Sequence, residues 1–332
     1  MNELIIITIC LLTSFVSTFF ATKVWIFVTK NIKLQGKDMN KYSKPLVSEA
    51  GGIAPVMGIA MSIMLYVFFK IFLIGSETNL IPIFAIIIGL VMAAFIGLLD
   101  DILGWLKGIR QKTKVLMSFT LAIPLVIVNA GQSLVNMPFI GPIEFGLLYP
   151  LLIIPLGIVL ASNGYNMLAG YNGLEAGLGV IIISTLSYFA YLNGMYWLVM
   201  VGGITVAALI AFLIFNWYPS KVFPGDSLTY ALGFLIAAIA IFGNMETIAV
   251  ILFIPFMVDF VLTSRSKMQA EAFGKVNPDN SLKLPYEKFY DSTHVAIYLI
   301  EKIKGKVYEK DVVISIYLFE ILFVAITLIL FM

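Results

Sequence analysis

The sequence predicts an all-α integral membrane protein of about ten transmembrane helices, with both termini outside and the functional face in the cytosol. Three observations carry this. The 332-residue chain is 61% hydrophobic and only 12% charged, with a mean hydropathy of +1.00, whereas soluble domains run near a quarter charged. Its apolar residues fall into runs of about 20, each long enough for a helix to cross a ~30 Å hydrocarbon core. Backbone groups in lipid must pair internally, so such runs mean helices and not open sheets. Finally, its cations are segregated along the chain.

The predicted spans are 4–30, 52–73, 80–99, 115–130, 147–166, 173–192, 196–215, 227–243, 247–264 and 312–331. The loops after the first, third, fifth, seventh and ninth then share one side. Nineteen of the 21 Lys and Arg lie in those loops or at their edges: five over 30–44, four over 107–114, Lys221, and nine over 265–310. Cationic loops stay in the cytoplasm, which sets the orientation. The first run lacks a small-residue cleavage site after a short core and reads as a retained helix. Cys10 stands alone, which excludes an intrachain disulfide. The chain 1–332 reads as a single polytopic domain. Its one long polar segment, 265–311, joins the ninth and tenth helices, and aromatics such as Tyr286, Phe289 and Tyr290 among its charges mark it as ordered.

The loops carry the chemistry. In loop one, DMNKYSKPLVSEAGG (38–52), Pro45 fixes an extended turn and Gly51-Gly52 permit close backbone approach to a ligand. Lys41, Lys44 and Glu49 are candidate substrate contacts there, against the plain reading of a solvated cationic loop. In loop two a long apolar run ends in Asp100-Asp101, followed by Lys107, Arg110, Lys112 and Lys114. Bare anions are disfavoured at a helix C-terminus, which points to function. Neighbours on a helix diverge by about 100°, so one carboxylate would face the cavity and the other would orient a cation. Lys114 opens the fourth helix, where it could meet a phosphate or simply anchor the interface.

Loop three, NGYNMLAGYNGLE (163–175), places Asn163 and Asn166 on one helix face. Asn carbonyls suit a hard cation such as Mg²⁺ or the edge of a base; a helix cap and tight turn is the bland alternative. In loop four, FNWYPSKVFPGDS (215–227), Asp226-Ser227 sits where an N-cap would open the eighth helix. That helix start is also an anion site. Phe223 and Trp217 could stack a base or belong to an interfacial aromatic belt. His294, the only histidine, reads as structural. Glu320 lies deep in the last helix, where a carboxylate is a functional candidate, with Lys23 or a subunit contact as its expected partner.

Together these loops resemble the polyprenyl-phosphate N-acetylhexosamine-1-phosphate transferases, and within them the UDP-GlcNAc:dolichyl-phosphate branch of eukaryotes and archaea. The resemblance covers nearly the whole chain through residue 264. It rests on DMNK with Glu49-Ala-Gly-Gly, Asp100-Asp101, NGYNMLAGYNGLE and NWYPSKVFPGD, the last two being specific. Ala-Gly-Tyr-Asn-Gly, where bacterial branches usually carry Asp-Gly-(Leu or Ile)-Asp-Gly, favours the dolichol type. The resemblance implies ten helices, a cytosolic site, Mg²⁺ (with Mn²⁺ as a substitute), and often a homodimer. It makes Asn166 and Asp226 metal ligands and Lys114 a phosphate contact. It has Asn172 read uracil with Phe223 stacked on it, puts Asp100 beside the acceptor phosphate with Asp101 in support, and places Glu49 in the nucleotide-sugar pocket.

The reaction implied is transfer of GlcNAc-1-phosphate from UDP-GlcNAc to a polyprenyl or dolichyl phosphate, releasing UMP, as the first step of lipid-linked oligosaccharide synthesis for N-glycosylation. The membrane would be the plasma membrane in an archaeon or the endoplasmic reticulum in a eukaryote, and no nucleic acid is expected as partner. The arginine–histidine cluster of eukaryotic members is absent from 264–278. Arg265, Lys267 or Lys275 would then grip the diphosphate, and the sugar stays open to another N-acetylhexosamine. Asp100 reads as a general base or as the group that orients the acceptor. The competing class is a nucleotide-sugar or lipid transporter. Transporters place polar groups near the midplane, whereas here the candidates sit at helix ends on one face.

Overall fold

The structure, a computed structural model, describes residues 3–104, 108–137 and 141–332; Lys107 of the loop-two cations lies outside them. The elements run α1 (Glu3–Asn31), β1 (Gln35–Lys37), β2 (Leu46–Ser48), α2 (Ile53–Phe69), α3 (Leu80–Gly104), α4 (Gln111–Ser118) and α5 (Ile123–Ile127). After the strands β3 (Leu134–Met137) and β4 (Gly141–Glu144) come α6 (Ile154–Met167), α7 (Leu174–Leu192), α8 (Tyr196–Asn216), α9 (Gly225–Phe242), α10 (Glu246–Leu252) and α11 (Ile254–Ser264). The chain closes with β5 (Lys275–Val276), β6 (Leu282–Lys283), α12 (Ser292–Lys304) and α13 (Glu309–Phe331).

A helix that is apolar all round belongs inside a bundle, and α9 is that helix. Every residue from Ser227 to Ile241 is buried, with α3, α6, α7 and α2 packed around it. Glycines permit the approach: Gly89 lies under the Phe234 ring, and a side chain at Gly97 would strike the Asp226 backbone. Small residues serve this purpose between membrane helices, where lipid leaves little hydrophobic drive for association. Hydroxyls add polar ties, as Ser14 Oγ donates to the Ile204 carbonyl at 2.7 Å and Ser62 Oγ to the Cys10 carbonyl at 2.6 Å. The outer helices α1 and α13 leave Phe20, Phe27, Leu318 and Ile329 exposed, as a lipid-facing perimeter requires.

Among the described residues, eight helices are long and apolar enough to cross a membrane, and α10 with α11, bent by 52°, supplies a ninth crossing if counted as one. The bend falls where Pro255 opens α11 and cannot donate to the preceding turn. The expected span 115–130 is not one helix: α4, a 3₁₀ turn over Phe119–Ala122 and α5 follow in sequence. The Ser118 and Thr120 hydroxyls bond back to the Val115 and Met117 carbonyls, competing with the helical ladder, and Pro124 lacks an N–H. The broken path packs along the Tyr149–Met167 helix. Lys114 and Asn166 meet at one end of the bundle, and the Tyr149–Met167 helix is itself a crossing.

Loops one, three and four and the segment 265–311 gather at the end where Lys114 meets Asp226. Tyr42 N–H reaches Asn280, Asn172 reaches Asp38, Tyr171 reaches the Ala272 carbonyl, and Ser48 bridges Val222. The segment 265–311 is ordered by the β5–β6 hairpin and α12. His294 is buried there with Nδ1 accepting the Tyr290 N–H at 3.3 Å, and burial holds its pKa below the usual histidine range. Glu320 does not pair with Lys23: it is buried with neither oxygen hydrogen-bonded among the described residues, while Lys23 lies over the Phe19 ring.

Candidate active site

The site is built at the start of α9. This helix has no capping side chain of its own, and Asp226, expected at the cap, lies inside the first turn. The cap comes from α3. Asp101 Oδ1 accepts the Asp226 N–H at 2.7 Å and Oδ2 accepts the Ser227 N–H at 3.1 Å. A carboxylate suits amides that the α-helix leaves unpaired and its dipole makes positive. Gly225 makes the approach possible, because its φ of +68° is left-handed and a side chain there would strike the Asp101 carboxylate.

Its neighbour Asp100 points elsewhere, as adjacent helical positions must. Oδ1 accepts the Ile109 N–H at 2.9 Å and Oδ2 meets Lys114 Nζ at 2.5 Å. The same ammonium lies 2.8 Å from Asp226 Oδ2. Asn166, from α6, donates through Nδ2 to that oxygen at 3.2 Å, while its Oδ1 accepts from the Thr229 hydroxyl at 2.6 Å. Side chains from α4 and α6 thus converge on one carboxylate of α9, with Asp100 of α3 behind the ammonium. Three aspartates face one ammonium in a largely buried place, an excess of acidic groups over cations.

A divalent ion would balance that excess. No group of three or more His, Cys, Asp and Glu side chains among the described residues is set to hold a metal. The fit is therefore to an ion that takes one or two protein oxygens and fills its remaining positions with water and substrate phosphate, which is how Mg²⁺ binds. Asp226 Oδ2 and the Asn166 amide are adjacent hard donors of this kind. Turning that amide over puts Oδ1 beside Asp226 and Nδ2 on Thr229, whose hydroxyl accepts as readily as it donates.

Asn166 and Asp226 form the floor of a cavity of about 230 Å³, walled by Glu49, Gly170, Glu175, Phe223 and Phe273. Phe223 is held by loop one: its N–H donates to the Ser48 carbonyl and its carbonyl accepts the Gly51 N–H, both at 2.8 Å. Burial and the nearby Asp226 charge, only partly opposed by the Ala50 N–H, push the Glu49 carboxyl up to about 7. A second cavity of about 350 Å³ shares Met39 and Phe273 with the first and carries Lys44, Lys275 and Tyr286 on its walls.

Not every candidate reaches this cavity. Asn163 shares the Asn166 face of α6 but is spent on the protein: Nδ2 donates to Ser118 Oγ and the Val159 carbonyl, both at 2.8 Å, and Oδ1 accepts from Tyr230 at 3.0 Å. Asn172 is buried in a second polar cluster. Its N–H meets Glu309 at 2.8 Å, its Nδ2 meets Asp38 at 3.0 Å, and Lys41 bridges Asp38 and Glu309. Arg265 is exposed, and its Nη1 reaches the Phe289 carbonyl at 3.4 Å, away from the cavity lining. Reading the sequence left Glu175, Phe273 and Glu309 aside. Glu175 stands within NGYNMLAGYNGLE and could have been found there; Glu309 and Phe273 lie in polar sequence with no motif around them.

Against known proteins, the sequence pattern of glycosyl transferase family 4 matches residues 83–244. A Saccharolobus solfataricus protein is 37% identical over 99% of this chain and 98% of its own length. One from Sulfolobus acidocaldarius is 33% identical over 96% and 94%. Both are provisionally named UDP-N-acetylglucosamine–dolichyl-phosphate N-acetylglucosaminephosphotransferase. A phospho-N-acetylmuramoyl-pentapeptide-transferase of Halalkalibacterium halodurans is 29% identical over 74% of this chain and 78% of its own.

Proposed function

The chain belongs to glycosyl transferase family 4, as a membrane phosphotransferase of the polyprenyl-phosphate N-acetylhexosamine-1-phosphate transferase type, and from that premise we propose that it transfers GlcNAc-1-phosphate from UDP-GlcNAc to a dolichyl or related polyprenyl phosphate. The observation that supports this best is the convergence of Asp100, Lys114 and Asn166 around Asp226, which with Asn166 lines the cavity. An oxygen of the lipid phosphate attacks the β-phosphorus, a new P–O bond forms, and the bond to the oxygen bridging to the α-phosphorus breaks. UMP departs with that electron pair, and the lipid carries a sugar diphosphate.

Phosphoryl transfer asks the protein mainly for in-line positioning and neutralisation of charge. Asn166 and Asp226 would hold Mg²⁺, which supplies charge neutralisation on the diphosphate when bound. Lys114, 2.8 Å from Asp226, is a cation of the chain itself placed to meet a transferring phosphoryl group. Asp100 aims that ammonium. With both oxygens already engaged, it is read as an orienting group, and the acceptor needs little help from a base because a phosphate monoester has its second pKa near 6. Asp101 fixes the backbone that carries Asp226. The loops face the cytosol, and the product would be the first lipid-linked sugar on a route to N-glycosylation. The test is release of UMP by purified protein given UDP-GlcNAc, polyprenyl phosphate and Mg²⁺. Release that requires both substrates and stops with a chelator is expected; nucleotide-sugar transport without UMP release would sink the reading.

A further inference from the structure

We propose that α12 is a membrane-surface helix, and that it seats the segment 265–311 on the bilayer through Leu299 and Ile303. The helix is pinned at both ends to helices of the bundle. At its start the Ser292 N–H donates to Asp259 at 2.8 Å, and Asp259 lies about a turn and a half before α11 ends at Ser264. At its finish only 305–308 separate Lys304 from Glu309, the first residue of α13. Between these points α12 packs against both α11 and α13. Its 13 residues, a rod about 20 Å long, therefore lie at the level where those two helices leave the membrane.

The sides of α12 differ in cover. Thr293, Ala296 and Ile297 are buried. Ser292, Leu299 and Ile303 fall on another stripe, since steps of seven and four return to one side of a helix. That stripe starts against α11 and then loses its cover. Leu299 is 51% exposed and Ile303 83%, and no large apolar side chain among the described residues is more exposed than Ile303. Lys302 stands beside the stripe, its ammonium 4.3 Å from the centre of the Tyr298 ring. Glu301 and Lys304 lie on the far flank, where Lys304 pairs with Asp311. An apolar stripe bordered by lysine, on a helix at membrane level, lies among the headgroups with its apolar side toward the acyl chains, and lysine stems reach back to water. The occupant is lipid because the stripe continues a surface that already faces lipid: Val258 and Val261 on α11 and Ile314 and Leu318 on α13 are exposed too.

This contact leads to the site. On its buried side α12 presses Ile297 onto Gly274, where a Cβ would lie 3.0 Å from Ile297 Cδ1 and 3.1 Å from Leu282 Cβ. Gly274 follows Phe273, which walls both the cavity over Asp226 and the second cavity beside it. Lipid that holds Leu299 and Ile303 thus holds, through Ile297, one wall of the place where the chemistry is done.

Depth-dependent quenching tests this. The full-length protein with Cys10→Ala, which removes the one native thiol, is placed in phosphatidylcholine vesicles with a fluorophore on Leu299→Cys, Ile303→Cys, Glu301→Cys or Leu318→Cys. Lipids brominated high on the acyl chains should quench Leu299→Cys and Ile303→Cys strongly and Glu301→Cys little, while Leu318→Cys should respond best to deeper bromines. Quenching at Leu299→Cys and Ile303→Cys no greater than at Glu301→Cys would overturn the proposal. Disulfide-linked dimers of Ile303→Cys without quenching would give the stripe to a second copy of the chain and overturn it equally. A second measurement needs no label. Leu299→Ser with Ile303→Ser removes two exposed side chains and disturbs no packed core, yet in vesicles it should speed amide hydrogen exchange over 271–276, as loss of a local anchor does. Exchange unchanged from wild type would show that lipid has no hold on the segment, and the seating would fall.

Discussion

Asp100 and Asp101 are adjacent in sequence and chemically identical, yet one holds an ammonium and the other two amides. The sequence makes the pair visible and predicts that the two diverge. It does not say that the second faces a helix start 125 residues away, because nothing local in either segment encodes that meeting. The consequence is a clean separation of roles. Asp226→Asn keeps the backbone N–H that Asp101 grips, so it should leave the thermal midpoint in detergent nearly unchanged while Mg²⁺-dependent turnover falls by orders of magnitude. Asp101→Ala should lower the midpoint, costing about 1–2 kcal/mol as lost caps do, with a smaller loss of turnover. Turnover near normal in Asp226→Asn would retire the ligand assignment. Glu49 adds a pH dependence. Burial, with the Asp226 charge, raises its pKa from the usual carboxylate value of 4.5 to about 7. The folded protein therefore holds a proton that the unfolded chain releases between those values, and stability falls as pH rises through that window. Glu49→Gln should flatten the fall. Thermal midpoints of both proteins at pH 5 and pH 8, without divalent ions, check it: the variant gains on wild type only at the higher pH.

At the scale of elements, apolar run length located the helices well, because hydropathy reports burial directly. The breaks were less legible. Pro124 and Pro255 stand openly in the sequence, but whether a proline kinks, ends or merely begins a helix depends on what fills the freed backbone positions. The short hairpins were invisible for a related reason: β1–β2 is three residues a side and continues through a bridge from Ser48 to Val222, a partner supplied only by the folded chain. The Asp38–Lys41–Asn172–Glu309 cluster joins loop one, loop three and the start of α13 in the same manner. Lys41 lies between two carboxylates with 8% of its side chain exposed. Replacing it by methionine leaves both acids buried and unpaired, and removal of one partner from a buried pair costs about 3–5 kcal/mol. Lys41→Met should show a large drop in the thermal midpoint although the residue makes no ion pair with Asp226. A drop no greater than that of a surface lysine such as Lys302→Met would mean the cluster contributes little.

For the molecule as a whole, charge segregation placed the loops together, and the structure gathers them at one end. The cytosolic orientation is a prediction of the same charges. Cysteines introduced at Gln35 and Asn280 should react with a membrane-impermeant label only from the cytosolic side, and one at Asn136 only from outside. Labelling of all three from one side would contradict the shared face. The position of α9 has a consequence for durability. Asp226 stands on the most enclosed helix of the bundle, and its partners on α3 and α6 pack against that same helix. No peripheral flap or lid carries the ligand carboxylate. Many enzymes lose turnover on warming well before they unfold, because a mobile part softens first. Here the reacting centre and the interior share one mechanical foundation, so inactivation and unfolding should occur at the same temperature. Residual activity and intrinsic fluorescence, followed along one heating series in detergent, should trace coincident curves.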